Sequence, residues 1–194
     1  MLHSDALRAA FGGCALHAAC GPCGVAIPFI IRKPSGIVTS GFALSTMTYP
    51  FQEETMKDCN CGYCMGGDIL AGFGIKICDL QVSQLILFKE QSHPGRVIVA
   101  YKDHVSELVD ISAEERAAFF ADVAQAANAV HKAFHPDKVN YGAYGDGGCH
   151  LHFHLVPKYA GEFEWGTPFA MNPGKTYLSE AEYAAMIEKI KAHL

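Results

Sequence analysis

Residues 150–157 read His150-Leu151-His152-Phe153-His154-Leu155-Val156-Pro157, an alternation of imidazoles and apolar side chains. Period two is the signature of a half-buried β-strand. On such a strand the three imidazoles share one face, about 6–7 Å apart, while Leu151, Phe153 and Leu155 turn into the core. Three titratable rings on one face suit three uses. They could be packing in a strand that carries some histidines, a chelating row for a metal, or a catalytic set in which one imidazole is the nucleophile. The third use accounts best for the arrangement.

A second constellation lies upstream. Cys61-Gly62-Tyr63-Cys64 is a Cys-x-x-Cys knuckle, a spacing that lets two thiolates reach one zinc, with two further ligands needed from elsewhere. A third is the turn Gly145-Asp146-Gly147-Gly148 just before the histidine row. Its glycines let backbone N–H groups come close to a phosphate, although an ordinary hairpin turn would look the same. Cys20-Gly21-Pro22-Cys23 has the spacing of thioredoxin-like redox motifs, but no strand pattern precedes it, and Pro28 and Pro34 interrupt the residues after it.

The elements that must carry these residues can be read in order. Residues 74–80 and 84–90 are short strand-like runs with a tight connection, hence an antiparallel hairpin. His93-Pro94-Gly95 is a turn, and residues 96–101 make a third strand ending near His104. Residues 112–134 form the long helix, opened by a Ser112/Glu115 capping box, with Phe119, Val123, Ala126, Ala127, Val130 and Phe134 on the face that covers the sheet. His131 and His135 near its end read as structural or solvent-facing. Residues 139–144 are a fourth strand and the histidine row a fifth. Residues 161–177 are loop-rich and contain Trp165. A final helix begins at Ser179, capped with Glu182, and shows Tyr183, Met186, Ile187 and Ile190 as its apolar stripe.

Residues 1–55 show no sustained periodicity and read as a poorly structured extension or an upstream start ahead of Met47 or Met56, leaving residues 56–194 as the catalytic domain. The net charge of −5 argues against a nucleic-acid polymer as partner. No apolar run approaches the ~18 residues of a membrane span. Clustered cysteines without a clear secretory signal favour metal-bound or reactive thiols in a reducing, cytoplasmic setting.

The pattern His-φ-His-φ-His-φ-φ at residues 150–156, with φ apolar, resembles the histidine-triad (HIT) family of nucleotide hydrolases and transferases. The Cys61/Cys64 knuckle, His104 past the third strand and Pro157 after the triad stand in the family's order, and the resemblance covers roughly residues 59–159. It implies an α+β fold, a five-stranded antiparallel sheet with one long packed helix and a C-terminal helix, commonly paired as a homodimer through the sheet. It implies that His152 attacks the α-phosphate of a small nucleotide substrate, such as a dinucleoside polyphosphate or a nucleoside phosphoramidate, to give a nucleotidyl-histidine. It places His154 against phosphate oxygens or the leaving group. It makes Cys61, Cys64, His104 and His150 the ligands of a structural zinc, with Cys59 able to replace one of them. Asn140 is the position matching an asparagine near the ligand, and Gly145, Asp146 and Gly148 the turn that would face phosphate. This turn is shorter than the corresponding run of many relatives. Cys149 reads as packing. Two rival functions stand beside this one: a metallohydrolase using the row as a catalytic metal site, and a nucleotide-binding module without turnover.

Overall fold

The structure, a computed structural model, describes residues 57–171 and 173–194. The Cys20/Cys23 motif and the 1–55 extension lie outside the described residues. Two short helices open the chain, α1 (Gly62–Met65) and α2 (Gly67–Ala71). They are followed by β1 (Gly74–Asp79), β2 (Ser83–Phe88) and β3 (Val97–Tyr101). After the long helix α3 (Ala113–Phe134) come β4 (Lys138–Gly142), β5 (His152–Lys158) and α4 (Glu180–Lys191). The strands form one sheet in the order β1-β2-β3-β5-β4, every neighbouring pair antiparallel. No helix of the described residues is long and apolar enough to cross a membrane.

β2 and β3 are buried along their whole length, so residues 85–88 and 97–101 read as continuous apolar runs. One face of the sheet meets α3: Leu85, Leu87, Val97, Val99 and Leu155 pack with Phe119, Val123, Ala126 and Val130. Each such large side chain contributes about 1.5–3 kcal/mol by leaving water. α3 begins where the sequence indicates: the Ser112 hydroxyl accepts from the Glu115 N–H at 3.1 Å, and the Glu115 carboxylate accepts from the Ser112 N–H at 2.8 Å. It is tied to the β1–β2 turn by buried Asp122, whose carboxylate accepts from the N–H groups of Gln81 and Val82 (3.1 and 2.9 Å) and from the Ser83 hydroxyl (2.7 Å). The opposite face carries a smaller apolar cluster, Leu70, Ile86, Phe88, Ile98 and Ala100, with Tyr63 and Phe73 against it.

β1, β2 and β3 end or begin within two residues of the expected positions, and two further boundaries that differ from the sequence expectation bear on the histidine row. β4 stops at Gly142, not residue 144, and β5 starts at His152, not His150. At Gly142 a Cβ would lie 2.5 Å from the Tyr144 ring and 2.6 Å from that of Phe169, so only glycine lets these rings close over the strand end. His150 sits just ahead of β5 because its ring is turned back toward Tyr101. The three imidazoles therefore do not occupy equivalent strand positions.

Candidate functional site

The histidine row lies on the face opposite α3. Register places His152 across from Ala100 and His154 across from Ile98, with Gly142 on the other side of His154. All three rings are buried.

Each ring has a partner that decides where its proton sits. A carbonyl oxygen only accepts, so the nitrogen facing it carries the hydrogen. His150 Nε2 donates to the Tyr101 carbonyl at 2.7 Å, which leaves the Nδ1 lone pair free. His152 Nδ1 donates to the His150 carbonyl at 2.6 Å, which leaves Nε2 with its lone pair. His154 Nδ1 lies 3.2 Å from the Arg96 guanidinium, a group that only donates, so this nitrogen accepts. Burial pushes the His152 imidazole below its ordinary value, against the pull of the carbonyl bond, and keeps it a free base at neutral pH. Burial, with Arg96 and His152 adding to it, pushes His154 down to about 2.

Around His150 the chain gathers a four-donor cluster. One ligand atom from each of Cys61, Cys64, His104 and His150 lies within 4.8 Å of the others. His150 Nδ1 is 3.5 Å from both thiol sulfurs and 3.4 Å from His104 Nδ1; Cys64 Sγ is 3.3 Å from His104 Nδ1. Zinc bonds of about 2.3 Å to sulfur and about 2.0–2.1 Å to nitrogen give a tetrahedron with edges of roughly 3.3–3.8 Å. The observed separations match those edges, and the donor set fits a metal ion. His104 also has Asp58 3.7 Å from its Nε2, an outer carboxylate of the kind that orients ligating imidazoles. A hydrogen bond from the Cys64 thiol holds the Cys61 sulfur as the one that ionises first. Cys59 and Cys149 are disulfide-bonded, which takes Cys59 out of the ligand set and makes Cys149, only half-buried, more than core packing. For these two residues the expectation of metal-bound or reactive thiols does not hold.

The other sequence candidates are spread more widely. Asn140, in β4 opposite Val156, lines a cleft of ≈340 Å³ with Tyr144 and Phe169. Gly145, Asp146 and Gly148 are exposed in the loop joining β4 to β5, closed by a Gly148 N–H to Gly145 carbonyl bond of 3.3 Å. A Cβ at Gly148 would meet nothing within 4 Å, so the turn is open to solvent.

Two side chains at the row were not singled out from the sequence. Tyr63, inside the knuckle, lays its ring 5.0 Å from those of both His150 and His152. Arg96 is fully buried between the rings of Phe88 (4.3 Å) and Phe169 (5.2 Å). The signal for Arg96 was a charged residue opening an otherwise apolar strand run; that it lies beside His154 depends on strand register. Phe169 reaches this place because its loop is pinned: Lys158 donates to the carbonyls of Glu164 and Thr167 (2.7 and 2.6 Å), and His93 Nε2 meets the Glu164 carboxylate at 2.9 Å.

Residues 76–161 match the family model described as HIT domain. The chain carries a HIT domain. Solved structures agree on the fold. A histidine triad protein from Sinorhizobium meliloti is 22% identical, with a TM-score of 0.61 over 66% of this chain and 95% of its own. One from Marinobacter aquaeolei is 20% identical, with a TM-score of 0.62 over 69% and 97%. A hypothetical histidine triad nucleotide-binding protein from Sulfolobus tokodaii is 18% identical, with a TM-score of 0.53 over 69% and 91%. No curated protein matches the chain. The matched span of the HIT domain holds His104 and the whole row; the cysteine knuckle precedes it.

Proposed function

We propose that the HIT domain is a nucleotide hydrolase or nucleotidyltransferase that acts at an α-phosphate through a nucleotidyl-His152 intermediate. The observation that carries this is the 2.6 Å bond from His152 Nδ1 to the His150 carbonyl, which leaves Nε2 as a fixed lone pair on a neutral imidazole. In the first step Nε2 attacks phosphorus and the P–N bond forms. The bond to the leaving group breaks, with its electron pair going to that group. In the second step water or another acceptor attacks phosphorus, and the P–N pair returns to Nε2. The carbonyl of His150 stabilises the ring while it carries positive charge. His154, as an Nε2–H donor, serves the phosphate oxygens. Asn140 and the exposed amides of Gly145, Asp146 and Gly148 complete the nucleotide contacts in this reading.

Zinc is the metal that suits Cys61, Cys64, His104 and His150. Four protein ligands leave it no open position, so it braces the knuckle against His150 and takes no part in the chemistry. A metallohydrolase reading is disfavoured because Arg96 stands 3.2 Å from His154, where a divalent cation would be repelled. A cytoplasmic setting belongs to the proposal, since reducing conditions keep Cys61 and Cys64 able to ligate. So does a homodimer, which sedimentation would report as twice the 21.0 kDa chain mass. The test is rapid acid-free quenching with a dinucleoside polyphosphate, followed by mass spectrometry. The expected result is one nucleotide mass on His152 and its loss, with turnover, in His152→Ala. Full turnover by His152→Ala would falsify the assignment. Tight nucleotide binding without product would favour the binding-module reading.

A further inference from the structure

Arg96 is the bulkiest fully buried side chain of the described residues. Its Nη1 donates to the Ala170 carbonyl at 3.3 Å, and its Nη2 to Met171 Sδ and to His154 Nδ1, both at 3.2 Å. Its Nε has no partner among the described residues. Nor is there an ion pair to a carboxylate among them. Burial lowers its pKa to about 10, which still leaves a cation at neutral pH. A guanidinium held dry without a carboxylate is expensive to fold around. The group it addresses is the third ring of the row.

We infer that Arg96 is a positioning residue that holds His154 as the neutral Nε2–H tautomer. His154 then gives hydrogen bonds to substrate oxygens but delivers no proton. The site therefore suits leaving groups that depart unprotonated, the phosphate oxygens of a polyphosphate ester, over the amine of a phosphoramidate. This rests on the reading in which His152 attacks phosphorus. When the P–N bond to His152 forms, the breaking bond sends its electron pair to the leaving atom. A terminal phosphate oxygen, with a pKa near ~6, keeps that pair without help at pH 7. An amine nitrogen, with a pKa near ~10, needs a proton as it leaves. An imidazolium at His154 would supply one; a neutral ring facing a fixed cation does not.

The charged or titratable groups facing His154 are Arg96, next to β3, and His152 on its own strand. Phe88 of β2 and Phe169 of the pinned loop present uncharged rings to it, and Gly142 of β4 presents no side chain. Glu90, Glu164, Tyr144 and Tyr63 act on Arg96 and help to keep it charged.

The test begins with imidazole nitrogen NMR on the ¹⁵N-labelled wild-type chain. His154 is expected as the Nε2–H tautomer, uncharged from pH 8 down to about pH 5. An Nδ1–H tautomer, or charging near its ordinary value, overturns the proposal. Kinetics then compare diadenosine tetraphosphate with an adenosine 5′-phosphoramidate of a primary amine. The wild type should favour the tetraphosphate in kcat/KM, and a preference for the phosphoramidate overturns the proposal. Arg96→Met should shrink that preference about tenfold or more, through kcat rather than KM, and Arg96→Lys, which keeps a donor, should restore it. An unchanged preference in folded Arg96→Met also overturns it. If Arg96→Met does not fold, the wild-type tautomer and substrate ratio decide alone. Absence of nucleotide on His152 would sink the proposed reaction while leaving the tautomer measurement standing.

Discussion

Three histidines of one type are given three proton arrangements by three different neighbours: the Tyr101 carbonyl, the His150 carbonyl and the Arg96 guanidinium. The burial that keeps His154 neutral has a consequence for stability. Its ordinary pKa is 6.5 and falls to about 2 in the fold, so between these values the unfolded state binds the extra proton. Stability is complete above pH 6.5 and falls as the pH drops below it, by up to about 1.4 kcal/mol per pH unit for one such group. His152, shifted in the same direction, adds to the slope. Urea titrations at pH 7.5 and pH 5 should show a lower midpoint in acid, and His154→Gln should flatten the difference. A midpoint that does not move would mean the ring is more accessible than its 2% exposure indicates.

At the scale of elements, the site depends on two joints. Asp122 joins α3 to the β1–β2 turn with three donors on one buried carboxylate. Asp122→Ala leaves them unpaired and should cost about 2–3 kcal/mol in chemical denaturation. The second joint is the turn before β3, where Gly95 has φ 88° and a Cβ would lie 2.5 Å from the Phe134 ring. Gly95→Ala meets both a left-handed backbone and a ring, and should cost about 1–3 kcal/mol. Because Arg96 is the next residue, kcat should fall as well; full activity in a destabilised Gly95→Ala protein would show that Arg96 tolerates displacement. The helices α3 and α4 and strands β1 to β3 were legible in the sequence, since caps and apolar periodicity are local; the short α1 and α2 were not, having neither. The ends of β4 and β5 were not, because they are decided by Tyr144 and Phe169 closing over Gly142 and by the pull of Tyr101 on His150.

At the scale of the molecule, the four-donor cluster joins segments far apart in the chain: Cys61 and Cys64, His104 forty or more residues on, and His150 a further 46. A metal there closes long loops in the folded state and has little to hold in the unfolded one. Purified protein should contain about one zinc per chain. Stripping it with a strong chelator should lower the Tm by several degrees or more. Cys64→Ser should do the same without chelator, whereas Cys59→Ser should retain the metal. Zinc retained at full stoichiometry by Cys64→Ser would remove Cys64 from the ligand set.

The sequence by itself determined the fold family and the chemistry on offer. A row of imidazoles, a cysteine knuckle and a capped amphipathic helix are patterns in neighbouring residues, and local spacing is enough to show them. Only the tertiary structure decided which nitrogen of each ring carries the hydrogen, that Arg96 stands beside His154, and that Tyr63 covers His150 and His152. Those relations join residues tens of positions apart. Strand register and chain closure set them, and neither leaves a periodic trace in the sequence.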